Sequence, residues 1–382
     1  MWGVLFYCCA GVIFFTYAGY PALLFLFSFY KAGKKTAAPA HLPSVTIIIA
    51  AFNEDRVIET KLHNTMGLDY PAHQLQIIVA ADGSSDATVH IASSFPDVLV
   101  LHQPLRKGKA SAINHAVTFA TNEIIVLTDA NSSLSAQTIN KLVAPFSEQK
   151  VGAVAGEKKV LSAEGAVASG EGLYWRYESW LKQQETKFYT VVGAAGELVA
   201  FRKELFVTIP EQTITDDFFI SLSINLQHRK LAYVPDAISS ETASLSLNDE
   251  WNRKVRIAAG GIQSLFLLRA ALNPFRYPLL AFQFFSHRVM RWIACAPAFV
   301  FLLLINMLLV NQQTGDLYTW LLILQLLFYI LAFAGWMMAK QKRSFFLFNI
   351  PFYIVFMHAA MLAGMMRYAS GKQSVLWEKA KR

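Results

Sequence analysis

Three acidic side chains are placed where chemistry is possible. Glu54, Asp82 and Asp129 each follow an apolar, β-branched run, at 45–51, 76–81 and 124–128. Runs of this kind suit strands buried in a parallel sheet. Ligands of open α/β sheets bind beyond the carboxyl ends of the strands, so the three carboxylates would converge on one crevice. Carboxylates gathered that closely repel one another unless a cation or a donor-rich ligand lies between them. A divalent metal held with a nucleotide diphosphate meets that need. The competing reading is that Asp82 and Asp129 are ordinary loop caps, because Asp is common where a strand ends.

The elements that must position these groups follow in regular alternation. Helical patterns run at about 55–66, 86–94 and 109–118, and a further strand at 98–102. Strand and helix in turn predict an α/β domain built on a doubly wound, mostly parallel sheet. Roughly 220 residues from Ser44 onward are enough for one such domain with its own core.

The remainder of the chain is of another character. The sequence is 54% hydrophobic and 16% charged, against about 25% charged in a soluble domain. Residues 2–30 carry no charged side chain, and apolar runs cover about 292–310, 317–339 and 345–366. Each is long enough to cross a bilayer. The organisation expected is a transmembrane anchor at 1–30, a basic linker at 31–43 and a catalytic domain at 44–250. Interfacial amphipathic helices at 251–290, transmembrane segments at 291–366 and a basic tail at 367–382 complete it. Lys31, Lys34, Lys35, Lys340, Lys342 and Arg343 flank the apolar runs. By the positive-inside rule they place the domain on the cytoplasmic side of the membrane. They also account for much of the net charge of +8, so nucleic-acid binding is not expected. The last run contains Pro351, and its basic tail opposes a full crossing; re-entrant and interfacial readings stay open. Cys8, Cys9 and Cys295 lie inside apolar runs, with neither zinc spacing nor a disulfide framework.

The motifs, taken in order, resemble the family 2 glycosyltransferases, an inverting group with a GT-A fold, and most closely the membrane-bound branch that builds exopolysaccharides. Ala50-Ala51-Phe52-Asn53-Glu54 matches the family's first nucleotide-contacting turn. Ala81-Asp82-Gly83-Ser84-Ser85-Asp86 matches the motif whose acidic residue holds the uridine base. Lys107-Gly108-Lys109 through Asn114 is similar to the helix start beside the nucleotide. Thr128-Asp129-Ala130-Asn131 stands in the place of the Asp-x-Asp motif that contacts the sugar diphosphate and its metal, with Asn131 a neutral departure from it. The resemblance therefore implies a divalent cation, Mg2+ or Mn2+, on Asp129 and Asn131.

Residues 192–202 are similar to a Gly-rich strand on the acceptor side, which brings in Gly193 and Gly196. Thr215-Asp216-Asp217 aligns with a Thr-Glu-Asp motif whose last residue is the catalytic base, which assigns that role to Asp217. A cap on a helix from about 217 to 227 is the plainer reading of Thr215 and Asp216, and the two are compatible. Arg253-Lys254-Val255-Arg256-Ile257 falls where processive members carry Gln-x-x-Arg-Trp. Arg253 and Arg256 are expected at the diphosphate, and Ile257 removes a sugar-stacking ring that Trp251 or Trp292 would have to replace; Trp251 is taken as the acceptor residue. The aromatic run 174–180 reads equally as a sugar groove or a packed helix. The resemblance implies sugar transfer from a nucleotide-sugar, a UDP-sugar, to a growing polysaccharide or lipid-linked glycan. Transfer of one sugar to polyprenyl phosphate and a non-catalytic membrane subunit are the alternatives. A partner subunit or a second copy would complete a polymer channel.

Overall fold

Residues Val45–Ala51 form strand β1, buried on both faces, and its side chains alternate between two cores. Val45, Ile47 and Ile49 meet Ile58 and Leu62 of the helix Ile58–Met66. Ile48 points the other way, toward Ile113, Ala116 and Val117 of the helix Lys109–Phe119. Period-two alternation with both faces apolar is what a helix-covered central strand requires. Fully burying one such isoleucine contributes about 1.5–3 kcal/mol.

The computed structural model describes residues 1–29, 41–161, 166–194, 196, 198–242, 246–341, 343, 345–371 and 373–374, with 29 and 166–171 described by backbone alone. Most of the expected basic linker and of the basic tail lies outside these residues. So do Lys31, Lys34, Lys35 and Lys342, on which the charge-based orientation draws, and Ala195 and Glu197 of the Gly-rich run.

The other strands are β2 Leu75–Asp82, β3 Val98–Gln103, β4 Ile124–Asp129, β5 Ser133–Leu134, β6 Val151–Leu161, β7 Leu198–Arg202 and β8 Lys230–Thr242. Their order in the single sheet is β3-β2-β1-β4-β7-β6-β8-β5. The first four are mutually parallel, as the alternation predicts. Strand β7 is antiparallel to both β4 and β6, and β8 lies parallel to β6. The register pairs Ala50 with Asp129 and Ala51 with Ala81, so the ends of β1, β2 and β4 are level. The long helix Ala166–Phe188 packs on the β6–β8 side, where Tyr233 Oη donates to Ser179 Oγ at 2.8 Å.

Among the described residues four helices are long and apolar enough to cross a membrane: Trp2–Ser28, Pro278–Asn311, Asp316–Lys340 and Phe346–Ala369. The second starts at Pro278, well before the apolar run at 292. Its early part, Phe285–Cys295, is a π-helix whose His287, Arg288 and Arg291 are buried. These charges face the catalytic domain. Arg291 pairs with Glu178, and His287 Nδ1 lies 2.7 Å from Glu185 Oε1. Tyr20 of the first apolar helix donates to the same Glu185 oxygen at 2.7 Å. The amphipathic helix Leu247–Leu267 is N-capped by Ser246, whose Oγ accepts from the Asp249 N–H.

Candidate active site

The level ends of β1, β2 and β4 open into one cleft of about 1960 Å³. Phe52 follows β1 and carries the Arg106 guanidinium 3.6 Å from its ring centroid, close enough for a cation–π contact. The turn after β1 is knit to the turn after β2. Asn53 has φ +54; its N–H donates to Ser84 Oγ at 3.1 Å, and its Oδ1 accepts from the Ser85 N–H at 2.8 Å. The Glu54 N–H donates to Thr88 Oγ1 at 2.7 Å. Asp86 accepts from Asp55 and Thr88, and those hydrogen bonds outweigh its burial and hold its carboxyl below the ordinary range.

Asp82 departs from the expectation. It is 1% exposed, and its two carboxylate oxygens accept from the backbone N–H groups of Lys107 and Gly108 at 2.7 and 2.8 Å. It is not among the residues lining the cleft. Its visible work is to hold the loop that presents Arg106 and Lys109 through two charge-assisted hydrogen bonds.

Asp129, at the end of β4, faces the cleft with Asn131 two residues on. Lys109 Nζ lies 2.8 Å from Asp129 Oδ1 and 3.5 Å from Asp216 Oδ2. Burial alone would lower the Lys109 pKa, but Asp129, Asp216 and Asp217 outweigh it and hold the amine above its ordinary value. One ammonium thus lies in the field of three carboxylates. Beneath the same turn is Lys61, 2% exposed. Its Nζ donates to Thr128 Oγ1 at 2.9 Å, to the Ser132 carbonyl at 2.8 Å and to Ser132 Oγ at 3.2 Å. Burial pushes this amine down to about 7.

The opposite wall comes from the helix Asp216–Leu226. It starts one residue earlier than the pattern suggests, with Thr215 at the N-cap position. Thr215 Oγ1 does not cap it; it bonds the Gly260 carbonyl at 3.2 Å and Ser264 Oγ at 2.9 Å, which fastens the helix to Leu247–Leu267. Asp217 lines the cleft and faces Gly196, where a Cβ would lie 3.3 Å from its Oδ2. Gly193 does not line the cleft. It has φ +106, and a Cβ there would meet the Phe218 ring at 2.5 Å. Its role is to let the chain pass Phe218 and deliver Gly196.

The two arginines expected at the diphosphate part company. Arg253 spends its guanidinium on Glu250 at 3.0 Å and Glu241 at 3.5 Å, although it borders the cleft. Arg256 also borders it; burial lowers its pKa, and the opposing pull comes from Asp216, Asp129 and Asp217. Trp251 turns away from the cleft and packs edge-on against Phe356, ring centroids 5.6 Å apart. Trp292 lines the cleft, 5.1 Å from the Phe218 ring, and so do Tyr174 and Trp175 of the aromatic run. Arg106 and Lys61 were not singled out in the sequence. Arg106 had a signal, the basic run it shares with Lys107 and Lys109; Lys61 had none, since a lysine on a short amphipathic helix reads as solvated.

The donor set bears on a metal. Among the described residues no three His, Cys, Asp or Glu side chains gather to hold a cation alone. Asp129 and Asn131 together offer a carboxylate and an amide oxygen, hard ligands suited to a cation that takes its other ligands from a diphosphate and water.

Comparison with known proteins follows this geometry. Residues 43–260 match the family described as Glycosyltransferase like family 2. The beta-monoglucosyldiacylglycerol synthase of Trichormus variabilis is 30% identical over 240 residues, 58% of this chain and 50% of that protein. The poly-beta-1,6-N-acetyl-D-glucosamine synthase of Staphylococcus aureus is 25% identical over 263 residues, 66% of this chain and 63% of that protein. The chain thus spans about half to three fifths of the length of these relatives. Among solved structures, a mannosyltransferase from Pyrobaculum calidifontis in complex with GDP-Man and Mn2+ superimposes with a TM-score of 0.73 at 21% identity, over 97% of this chain and 100% of that one. That likeness shows the GT-A fold.

Proposed function

The chain belongs to the family 2 glycosyltransferases, and on that premise we propose that it transfers a sugar, with inversion, from a UDP-sugar to an acceptor hydroxyl held beside Asp217. The donor nucleotide follows from the family resemblance. The single observation that carries the mechanism is the position of Asp217, at the start of a rigid helix, facing Gly196 in the cleft that Asp129, Lys109 and Arg256 also line. Asp217 takes the acceptor proton. The acceptor oxygen then attacks the anomeric carbon from the face opposite the diphosphate, and the bond to the diphosphate oxygen breaks. General-base catalysis of this kind contributes about 10²–10⁴-fold. Lys109 and Arg256 meet the charge of the departing diphosphate, for which a guanidinium has the matching geometry. A divalent cation on Asp129 and Asn131 would neutralise the same phosphates.

We propose that the cleft lies on the cytoplasmic side of the membrane, on the charge pattern of the sequence, and that the membrane is a bacterial inner membrane, on the family resemblance. The mechanism is tested by product stereochemistry. Purified protein in lipid nanodiscs is supplied with UDP-glucose, UDP-N-acetylglucosamine or GDP-mannose, and the new glycosidic bond is read by NMR. A β-linked product from an α-linked donor is expected; an α-linked product would overturn the inverting assignment, and turnover of GDP-mannose alone would overturn the uridine donor.

A further inference from the structure

Residues 190–194 lead to Gly196, which faces Asp217 across the cleft. They form neither helix nor strand, and Thr190, Val191 and Val192 are 0% exposed. A buried stretch outside regular structure still has to pair its N–H and C=O groups, and here side chains supply much of that pairing. Several of them belong to helices apolar enough to cross a membrane.

Gln283, on Pro278–Asn311, bonds Thr190 in both directions: the Thr190 N–H donates to its Oε1 at 3.3 Å, and its Nε2 donates to the Thr190 carbonyl at 2.7 Å. Arg288 of the same helix donates from Nε to the Val192 carbonyl at 2.7 Å. The Val192 N–H donates to Glu185 Oε2 at 3.4 Å. The other oxygen of that carboxylate accepts from Tyr20 Oη, on the first apolar helix, at 2.7 Å and lies 2.7 Å from His287 Nδ1. The Ala194 N–H donates to Ser221 Oγ at 3.1 Å, and the same hydroxyl donates to the Asp217 carbonyl at 2.6 Å. One hydroxyl therefore joins this stretch to the turn of helix that carries the base.

From these contacts we propose that Gln283 and Tyr20 are positioning residues for the transfer: through Thr190 and Glu185 they hold 190–194, and with it Gly196, in place against Asp217. This rests on the sugar-transfer reading of the cleft. Gln283, Tyr20, Glu185 and Ser221 are all 0% exposed and none lines the cleft, whereas Ala194, Gly196 and Asp217 do. They act on the reaction only through the backbone. The donor side is anchored elsewhere, by Asp82 on the Lys107–Gly108 amides, by Lys61 beneath the turn after β4 and by Lys109 on Asp129. None of those bonds passes through 190–194. Loosening the stretch should therefore disturb the acceptor geometry and spare the donor's, and a misplacement of about 1 Å at a reacting pair costs about 10²-fold. A role in stability alone would reduce the number of folded molecules and leave each of them as active as the parent.

The test uses the full chain in lipid nanodiscs. Gln283→Met is close to isosteric and removes both bonds to Thr190; Tyr20→Phe removes one hydroxyl and keeps the ring. Ser28→Ala is the control, because Ser28 Oγ bonds Gln184 Oε1 at 2.7 Å, a tie between the same first helix and Ala166–Phe188 that does not lead to 190–194. Calorimetry with UDP-glucose and with UDP-N-acetylglucosamine gives donor affinity and the number of donor-binding molecules. Transfer of the labelled sugar to dioleoylglycerol and to an N-acetylglucosamine oligomer, offered separately, is divided by that number. Backbone hydrogen exchange is followed over 189–194 and over β1, β2 and β4. Gln283→Met should lower transfer per donor-binding molecule about tenfold or more and speed exchange over 189–194, with donor affinity and exchange over the three strands unchanged. Tyr20→Phe should act in the same direction to a smaller extent and decides by the same readings if Gln283→Met does not fold; Ser28→Ala should match the parent. Transfer per donor-binding molecule at the parent level, exchange over 189–194 unchanged, or an equal loss in Ser28→Ala would each overturn the positioning role and leave sugar transfer standing. A parent protein that turns over no donor, with exchange that still responds to Gln283→Met, would instead count against sugar transfer and not against the tie.

Discussion

Asp216 and Asp217 are adjacent in sequence and different in surroundings. Asp216 is buried and pairs with Lys109 at 3.5 Å; Asp217 faces the small side of Gly196. The base is assigned to Asp217 by its place in the Thr-Glu-Asp motif, and its carboxylate lines the cleft in the field of the Lys109 ammonium. Two further residues make predictions at this scale. Gly193→Ala forces a Cβ into the Phe218 ring at a φ of +106, and should cost about 1–3 kcal/mol of stability, read as a lower melting temperature in detergent. Asn131→Asp adds a second carboxylate beside Asp129 and should lower the Mn2+ concentration for half-maximal activity, since hard-cation affinity rises with ligand charge. Placement in the cleft was legible where a motif coincides with a strand end, as at Phe52, Glu54 and Asp129. They were not legible where the partner decides the role. Arg253 is taken by Glu241, twelve residues back on β8, as well as by Glu250. Trp251 and Trp292 are equivalent in sequence, and only helix packing turns one toward the cleft and the other toward Phe356.

At the scale of elements, the turn after β4 depends on a helix that carries no motif. Lys61, on Ile58–Met66, holds both flanks of that turn through Thr128 and Ser132. Lys61→Met keeps the apolar stem and leaves buried acceptors unmet, a loss of about 1–3 kcal/mol. The expected outcome is weaker Mn2+ and donor binding, measured by calorimetry, with the fold retained by circular dichroism. The parallel strands β1 to β4 were readable because they are short apolar runs separated by helical patterns. The antiparallel placement of β7 was not, since a run of four apolar residues before Arg202 carries no direction. The start of the second apolar helix at Pro278 was hidden for an electrostatic reason. His287 and Arg291 look like an aqueous stretch until Glu185 and Glu178, more than a hundred residues earlier, are brought against them.

At the scale of the whole molecule, those same carboxylates join the catalytic domain to the apolar helices. Burial alone would raise the Glu178 pKa; Arg291 first, then His287, outweigh it and hold it well below the usual range. Removing one partner of a buried pair leaves the other charge uncompensated, at about 3–5 kcal/mol. Arg291→Met should therefore lower the melting temperature in detergent sharply, and Arg291→Met with Glu178→Leu should recover most of the loss. The reaction as a whole should stop when EDTA removes divalent cations and resume when Mn2+ is returned, because without a cation on Asp129 and Asn131 the diphosphate charge is met by Lys109 and Arg256 alone. The most direct test of the account is Asp217→Asn, assayed for sugar transfer and for UDP-sugar binding on the same preparation. Turnover reduced about 10²–10⁴-fold with donor affinity unchanged is the predicted result; turnover at the level of the parent protein would contradict it.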